Sequence, residues 1–217
     1  MKLNFLIQLP RNIMYSKRPI ILFFVVILAA CSSINDRPVA ELKAQQSVDS
    51  RNKQLTQLNH WTIAGKIAFI NNQERQSATL HWQKNDSEKT ESLNLSTVFG
   101  IKVLELTQQQ DNFTLEVDGE HYKTQDLDYL IYSLTGLNLP TRAMSHWLKG
   151  VAFLPTDKIT YHKTTQLPET LISSYNNKKW QIKYSKYHHI DRYQLAKQLT
   201  ITQGDLRIKI VIHSWKV

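Results

Sequence analysis

The sequence predicts a mostly β (α+β) domain: an open or partly closed antiparallel sheet interrupted by a short helical insert. Three observations predict it. Apolar and polar residues alternate with a period of two from Trp61 to about Lys123, and again from about 158 to 214. Tight-turn residues separate these runs at short intervals, as in an antiparallel meander. Between the two β stretches, at about Gln125, the period becomes that of a helix. A length of 217 residues with 41% apolar content suits one medium domain and excludes a disordered chain.

The elements follow in order. Trp61, Ile63, Gly65, Ile67 and Phe69 form one face of a first strand, and Asn71 to Glu74 turn the chain. Ala78, Leu80 and Trp82 repeat the alternation before a second turn at Asn85-Asp86-Ser87. Strands follow from Leu93 and Leu95, over Ile101 to Leu106, and over Phe113 to Val117. Asp118-Gly119 signals a type I′ hairpin, because both positions tolerate positive φ, and His121 to Lys123 return. Leu127, Leu130, Ile131 and Leu134 then make a helical stripe, with Asp126 and Asp128 in its first turn and Gly136 at its end. Pro140 is placed for the first position of a second helix carrying Ala143, Met144, Trp147 and Leu148, which Gly150 ends. Further strands are expected over 158–163, 170–175, 179–186, 198–203 and 206–214, the last two joined at Gly204-Asp205. No linker interrupts residues 60–217.

The single cysteine excludes an intramolecular disulfide framework and a multi-Cys metal site. Its position is informative. Lys2, Arg11, Lys17 and Arg18 precede an apolar run from Ile20 to Leu28, then Ala29, Ala30 and Cys31. This is a basic segment, an apolar segment and a small-residue processing site, and the run is about half the length that crosses a bilayer. A plain secretory signal with a chance cysteine would share these features. Leu28-Ala29-Ala30-Cys31 nevertheless resembles a bacterial lipobox, in which cleavage precedes a cysteine that becomes acylated. By resemblance to the sorting rules of that class, Ser32 in place of Asp directs the product to the outer membrane. The expected organisation is a signal peptide over 1–30, a lipidated N-terminus with tether and short helix over 31–59, and one domain over 60–217. The helix rests on a weak stripe across 40–57 that includes Ala40, Leu42, Ala44, Val48 and Leu55.

Charge points the same way. The whole chain carries +9, from 27 basic and 18 acidic residues. Loss of residues 1–30 removes four basic residues and no acidic ones, leaving 23 against 18, or +5 over 187 residues. That excess does not demand nucleic acid, and it favours anionic headgroups or an acidic partner. Basic residues interleave with aromatics at Lys178-Lys179-Trp180, a pattern that a strand with one solvated face also produces.

No nucleophile elbow, phosphate-binding loop, dinucleotide glycine pattern or His-Glu-x-x-His is present, so no enzyme and no cofactor is expected. His188-His189 is the only adjacent histidine pair, a poor metal clamp, and reads as a polar loop. Asp126 and Asp128, two apart at a helix start, suit the helix dipole and do not face each other. What remains is a wealth of large apolar side chains, compatible either with an apolar cavity or with a packed core. One loop stands apart. Val98 and Phe99 precede Gly100 where a turn should be polar, which suits a membrane or partner contact, or a Phe folded into the core.

Taken in order, these features resemble the LolB family of outer-membrane lipoproteins. The resemblance rests on the lipobox, Trp61-x-x-x-Gly65-Lys66-Ile67-Ala68, Ser77-Ala78-x-Leu80-x-Trp82, Leu93-x-Leu95, Leu139-Pro140, Trp147-Leu148-x-Gly150, and Gly204-Asp205-Leu206-Arg207 through Trp215. It implies an incomplete, curved antiparallel β-barrel with helices as a lid over an apolar cavity. It implies a non-catalytic monomer, anchored at Cys31 and facing the periplasm, that accepts acylated lipoproteins from a LolA-type periplasmic carrier and inserts them among outer-membrane phospholipids. The family's delivery loop reads Pro-Leu-Gly, and here Val98-Phe99-Gly100 stands in its place. The acyl-chain wall is expected from Ile67, Phe69, Leu80, Trp82, Leu93, Leu95, Val103, Phe113, Leu115 and Ile182. Leu130, Leu134, Met144, Trp147 and Leu148 are expected from the lid. An outer-membrane lipoprotein with a structural or assembly role and a filled core is the alternative.

Overall fold

The computed structural model describes residues 37–38, 46–135 and 139–217. The expected signal, Cys31, Ala40, Leu42, Ala44 and Gly136 lie outside the described residues. Among the described residues, twelve strands form one antiparallel sheet. β2 (His60–Ile70), β3 (Arg75–Asn85), β4 (Thr90–Ser96), β5 (Lys102–Gln109), β6 (Asn112–Val117) and β7 (Glu120–Thr124) pair in succession. Helices α2 (Leu127–Thr135) and α3 (Thr141–Lys149) follow. β8 (Lys158–Tyr161), β9 (Pro168–Tyr175), β10 (Lys178–Ile190), β11 (Tyr193–Gln203) and β12 (Leu206–Lys216) form a second meander. β12 then pairs with β2, joining the two halves, so that β7 and β8 are the free edges of an open, curved sheet. The short β1 (Arg37–Pro38) pairs with β10. Helix α1 (Val48–Thr56) precedes β2.

Local sequence explains the boundaries. α1 starts under a Ser47 N-cap whose hydroxyl accepts from Ser50 N at 3.2 Å. Asp118 and Gly119 both adopt positive φ, as a type I′ hairpin requires. Gly150 closes α3 in the left-handed region. Pro140 sits one place earlier than expected, at the N-cap. The hairpin of β10 and β11 runs further than expected and turns at Asp191-Arg192, so His188 and His189 are half-buried strand residues opposite Leu195 and Gln194. Both faces of that hairpin end are partly covered, so no wet-and-dry alternation marks it in the sequence.

The period of two puts Trp61, Ile63, Ile67, Leu80, Trp82 and Leu95 on one face, with Ile208, Ile210 and Ile212 beside them. A register shift between Ile212 and Ser214 inverts the alternation, which returns Trp215 to the same face. Trp61 lies 5.3 Å from Trp82 and 5.9 Å from Trp215, ring centre to ring centre. Gly65 permits the seam here. A methyl group at Gly65 would collide with the Val211 carbonyl oxygen and stand 3.0 Å from Ile212 Cα, so β12 crosses a point where only glycine fits.

Two buried cations fasten the helices to the sheet. The Arg51 guanidinium donates to the carbonyls of Lys149 (3.1 Å), Gly150 (3.3 Å) and Gln194 (3.2 Å), tying α1 to the C-terminus of α3 and to β11. The Lys149 ammonium donates to Leu58 O at 3.1 Å. Burial lowers the pKa of both groups. Carbonyls at a helix C-terminus carry partial negative charge and receive the guanidinium without a carboxylate.

The seam yields a direct test. Gly65→Ala should destabilise the fold by about 3 kcal/mol through backbone collision, seen as a lower urea midpoint at unchanged slope.

Candidate functional site

The concave face of the sheet is a continuous apolar surface. Cross-strand pairs carry it from Ile182 opposite Leu171 and Ile201 to Leu80 opposite Leu95, then Leu93 opposite Leu106, and Leu106 opposite Leu115. Over its centre, α3 lays Ala143, Met144, Trp147 and Leu148, all buried. The Trp147 ring is 0% exposed and lies 6.0 Å from Trp180 and 6.4 Å from Tyr175. In this structure the centre of the concavity is therefore filled by the protein's own side chains.

α2 is held differently. Leu127 and Ile131 pack on Leu106, Phe113 and Leu115 in a cluster distinct from the main core, with Leu93, Leu104 and Leu139 bordering both. Its outer side leaves Tyr129 and Tyr132 exposed. A polar clasp fixes its first turn. Asp128 accepts from Thr141 Oγ1 at the start of α3, from Tyr175 Oη at the end of β9 at 2.9 Å, and from Asn176 Nδ2 in the turn after it at 3.3 Å. Desolvation, reinforced by the bond to Asp128, pushes the Tyr175 phenol pKa well above its usual value, so the phenol remains a donor. Asp126 instead caps the helix, its Oδ1 accepting from Tyr129 N at 3.1 Å.

Of the residues expected in the wall, Ile67, Leu80, Trp82, Leu95, Met144, Trp147, Leu148 and Ile182 belong to the main cluster, with Phe69 packed against it. Phe113 and Leu115 belong to the second cluster, with Leu130 against it and Leu93 against both. Two residues are placed elsewhere. The register shifts where β4 meets β5, so that Leu95 faces Leu104 and Ser96 faces Lys102. Val103 is left without a cross-strand partner and 42% exposed, and Leu104 and Leu106 take the inward positions. Leu134 is 38% exposed, because it falls in the last turn of α2, beyond the cluster that holds Leu127 and Ile131. Leu106 and the Asp128 clasp escaped the sequence reading. The stretch from Ile101 to Leu106 is apolar on both parities, and the clasp joins residues 47 and 48 apart in the chain.

The loop between β4 and β5 projects. Val98, Phe99 and Ile101 are 79%, 88% and 66% exposed. Phe99 is thus not folded into the core. Thr97 clamps the tip: Gly100 N donates to Thr97 O (3.0 Å), Ile101 N to Thr97 Oγ1 (3.2 Å), and Thr97 N to Ile101 O (2.8 Å). Gly100 adopts φ +81°. These bonds hold the turn without a proline at position 98. Among the described residues no cluster of metal-ligating side chains occurs.

Comparison with known proteins completes the picture. The family model described as outer membrane lipoprotein LolB matches residues 59–215. A protein of that name from Aeromonas salmonicida is 31% identical over 192 residues, covering 88% of this chain and 92% of its own. Another from Pseudoalteromonas translucida is 32% identical over 199 residues, covering 91% and 93%. Among solved structures, a LolA superfamily protein from Nitrosomonas europaea aligns with TM-score 0.50 at 5% identity, over 82% of this chain and 94% of that one. A DUF1329 family protein from Desulfovibrio piger aligns with TM-score 0.54 at 8% identity, over 78% and 90%. Both likenesses are of fold.

The clasp is open to test. Asp128→Ala removes an anionic acceptor of three donors and should weaken the anchoring of α2 by about 2 kcal/mol. Amide hydrogen exchange should then accelerate by about 30-fold in 127–135, with protection of β2, β3 and β12 unchanged.

Proposed function

Because the chain belongs to the LolB family of outer-membrane lipoproteins, we propose that it is the outer-membrane acceptor for lipoproteins handed over by a LolA-type periplasmic carrier, which it passes to the bilayer phospholipid. On this reading residues 1–30 are removed, Cys31 carries the lipid anchor, residues 31–59 tether the domain, and 60–217 do the work. The observation that carries it is an apolar concave wall, one end of which is covered by a helix held through its own small cluster and a polar clasp.

Energetics support a lid of this kind. Each methylene kept from water is worth about 0.8 kcal/mol, so a multiply acylated cargo faces a barrier of tens of kcal/mol to free diffusion. Such a cargo needs a dry path and no chemistry. Re-exposing Leu127 and Ile131 costs about 4 kcal/mol, whereas one acyl chain of about a dozen methylenes recovers about 10 kcal/mol against the uncovered wall. Cargo can therefore displace α2, opening Leu93, Leu104, Leu106, Phe113 and Leu115 to the chains. Empty protein closes over them. Delivery falls to the Val98-Phe99-Gly100 tip, where entry of Phe99 into hydrocarbon gains about 2 kcal/mol.

Incubation with the carrier loaded with a labelled lipoprotein should move label to this protein, and retention of all label on the carrier refutes the reading. Phe99→Glu should still accept cargo but release it to liposomes at least several-fold more slowly. The filled centre around Trp147 also suits an assembly lipoprotein with a permanently packed core. An apolar fluorophore distinguishes the two, since a permanent core binds none and a lid-gated wall binds it more strongly in Asp128→Ala.

A further inference from the structure

The convex face of the sheet carries an unbalanced belt of charge. Reading cross-strand partners from β3 toward β8, Arg75 aligns through Ile70 with Arg207, and on through Thr202, Gln181 and Ile172 with Lys158. The adjacent row brings in Lys209 and, across Thr200, Lys183. The third row brings in Lys66, opposite Val211. Cross-strand partners share a face, so these six exposed cations stand together. The positions between them in these rows hold Ser, Thr, Gln and the aliphatic residues Ala, Val and Ile, without one carboxylate or aromatic ring. Among the described residues none of the six is ion-paired, and the nearby turn carboxylates Glu74 and Asp205 make no salt bridge. By contrast Lys102, on β5, is neutralised by Glu105 and Glu116. Lys183, Arg207 and Lys209 line a shallow groove of about 410 Å³ with Gln181, Thr200 and Thr202 as further hydrogen-bonding groups.

We propose that this belt docks on the anionic headgroups of a phospholipid bilayer, with the cations and hydroxyls receiving phosphate oxygens. Its position selects this occupant over an acidic protein. Ser96, from which the Val98-Phe99 tip springs, pairs with Thr79, and Thr79 pairs with Lys66. Arg75 lies four residues beyond Thr79 along β3, on the side of the tip, since β4 ends at Ser96. An apolar tip flanked by cations matches the two layers of a membrane interface, hydrocarbon below and phosphate above. Protein interfaces instead centre on aromatic anchors, and the belt has none. The inference rests on the outer-membrane placement but not on cargo transfer.

Amine footprinting tests it on the full, lipid-anchored chain. The protein is reconstituted in phosphatidylcholine vesicles, or in the same lipid mixed with phosphatidylglycerol, and acetylated briefly before mass spectrometry. Lys66, Lys158, Lys183 and Lys209 should react several-fold more slowly on the anionic vesicles, with recovery in high salt. Lys123, exposed on the far edge strand β7, should not change. Equal reactivity on both vesicles overturns the proposal, as does slowing that is the same on both. Slowing that appears only when an acidic carrier protein is added assigns the belt to a protein and overturns it as well. Because no cargo is present, failed lipoprotein transfer leaves this result intact, and a failed footprint leaves the acceptor role intact.

Discussion

The seam between β2 and β12 makes one interior out of two meanders. Each half-sheet alone presents an apolar face with nothing to close it. Pairing from Thr62 opposite Lys216 to Ile70 opposite Arg207 sets Trp61, Ile63 and Ile67 beside Ile208, Ile210, Ile212 and Trp215. The concavity that results is deep enough to receive α3 and long enough to leave a second bay for α2. Glycine at position 65 is the local condition for that contact, and the register shift after Ile212 is the device that keeps Trp215 inside.

The open edge sets the division of labour between the helices. Because β12 returns to β2 and not to β7, the chain between β7 and β8 must cover the gap. α3 does so as core, anchored at its C-terminus by Arg51 and Lys149 and centred on Trp147. α2 covers the remaining bay with few buried residues and a clasp that sits at its N-terminal end. One helix is thus part of the main core, and its neighbour packs in a smaller cluster of its own.

Much of this was legible in the sequence, for stated reasons. Alternation over 61–82 and 206–212 survives because one face is wet and the other dry, so parity alone places Ile67, Leu80 and Trp82. The helical pair was legible because Gly150 and the 127–131 stripe are local signals. Parity fails where the ladder slips. Val103 and Leu104 are equally apolar, and only the pairing of Leu104 with the inward Leu95 decides between them. Leu134 continues the stripe but outruns the surface beneath it. The clasp of Asp128 with Tyr175 and Asn176 is tertiary, and no periodicity announces it. Phe99 is the opposite case: an apolar residue in a turn violates the local rule, and the violation marked the tip.

The seam has one more consequence, for biogenesis. It joins residues 62–70 to 207–216, so β12 must leave the ribosome before the interior can be completed. Until then the growing chain holds an unfinished half-sheet, and contacts of such long sequence separation form slowly. Local hairpins within either meander can form early, whereas closure of the interior waits for the C-terminal strand.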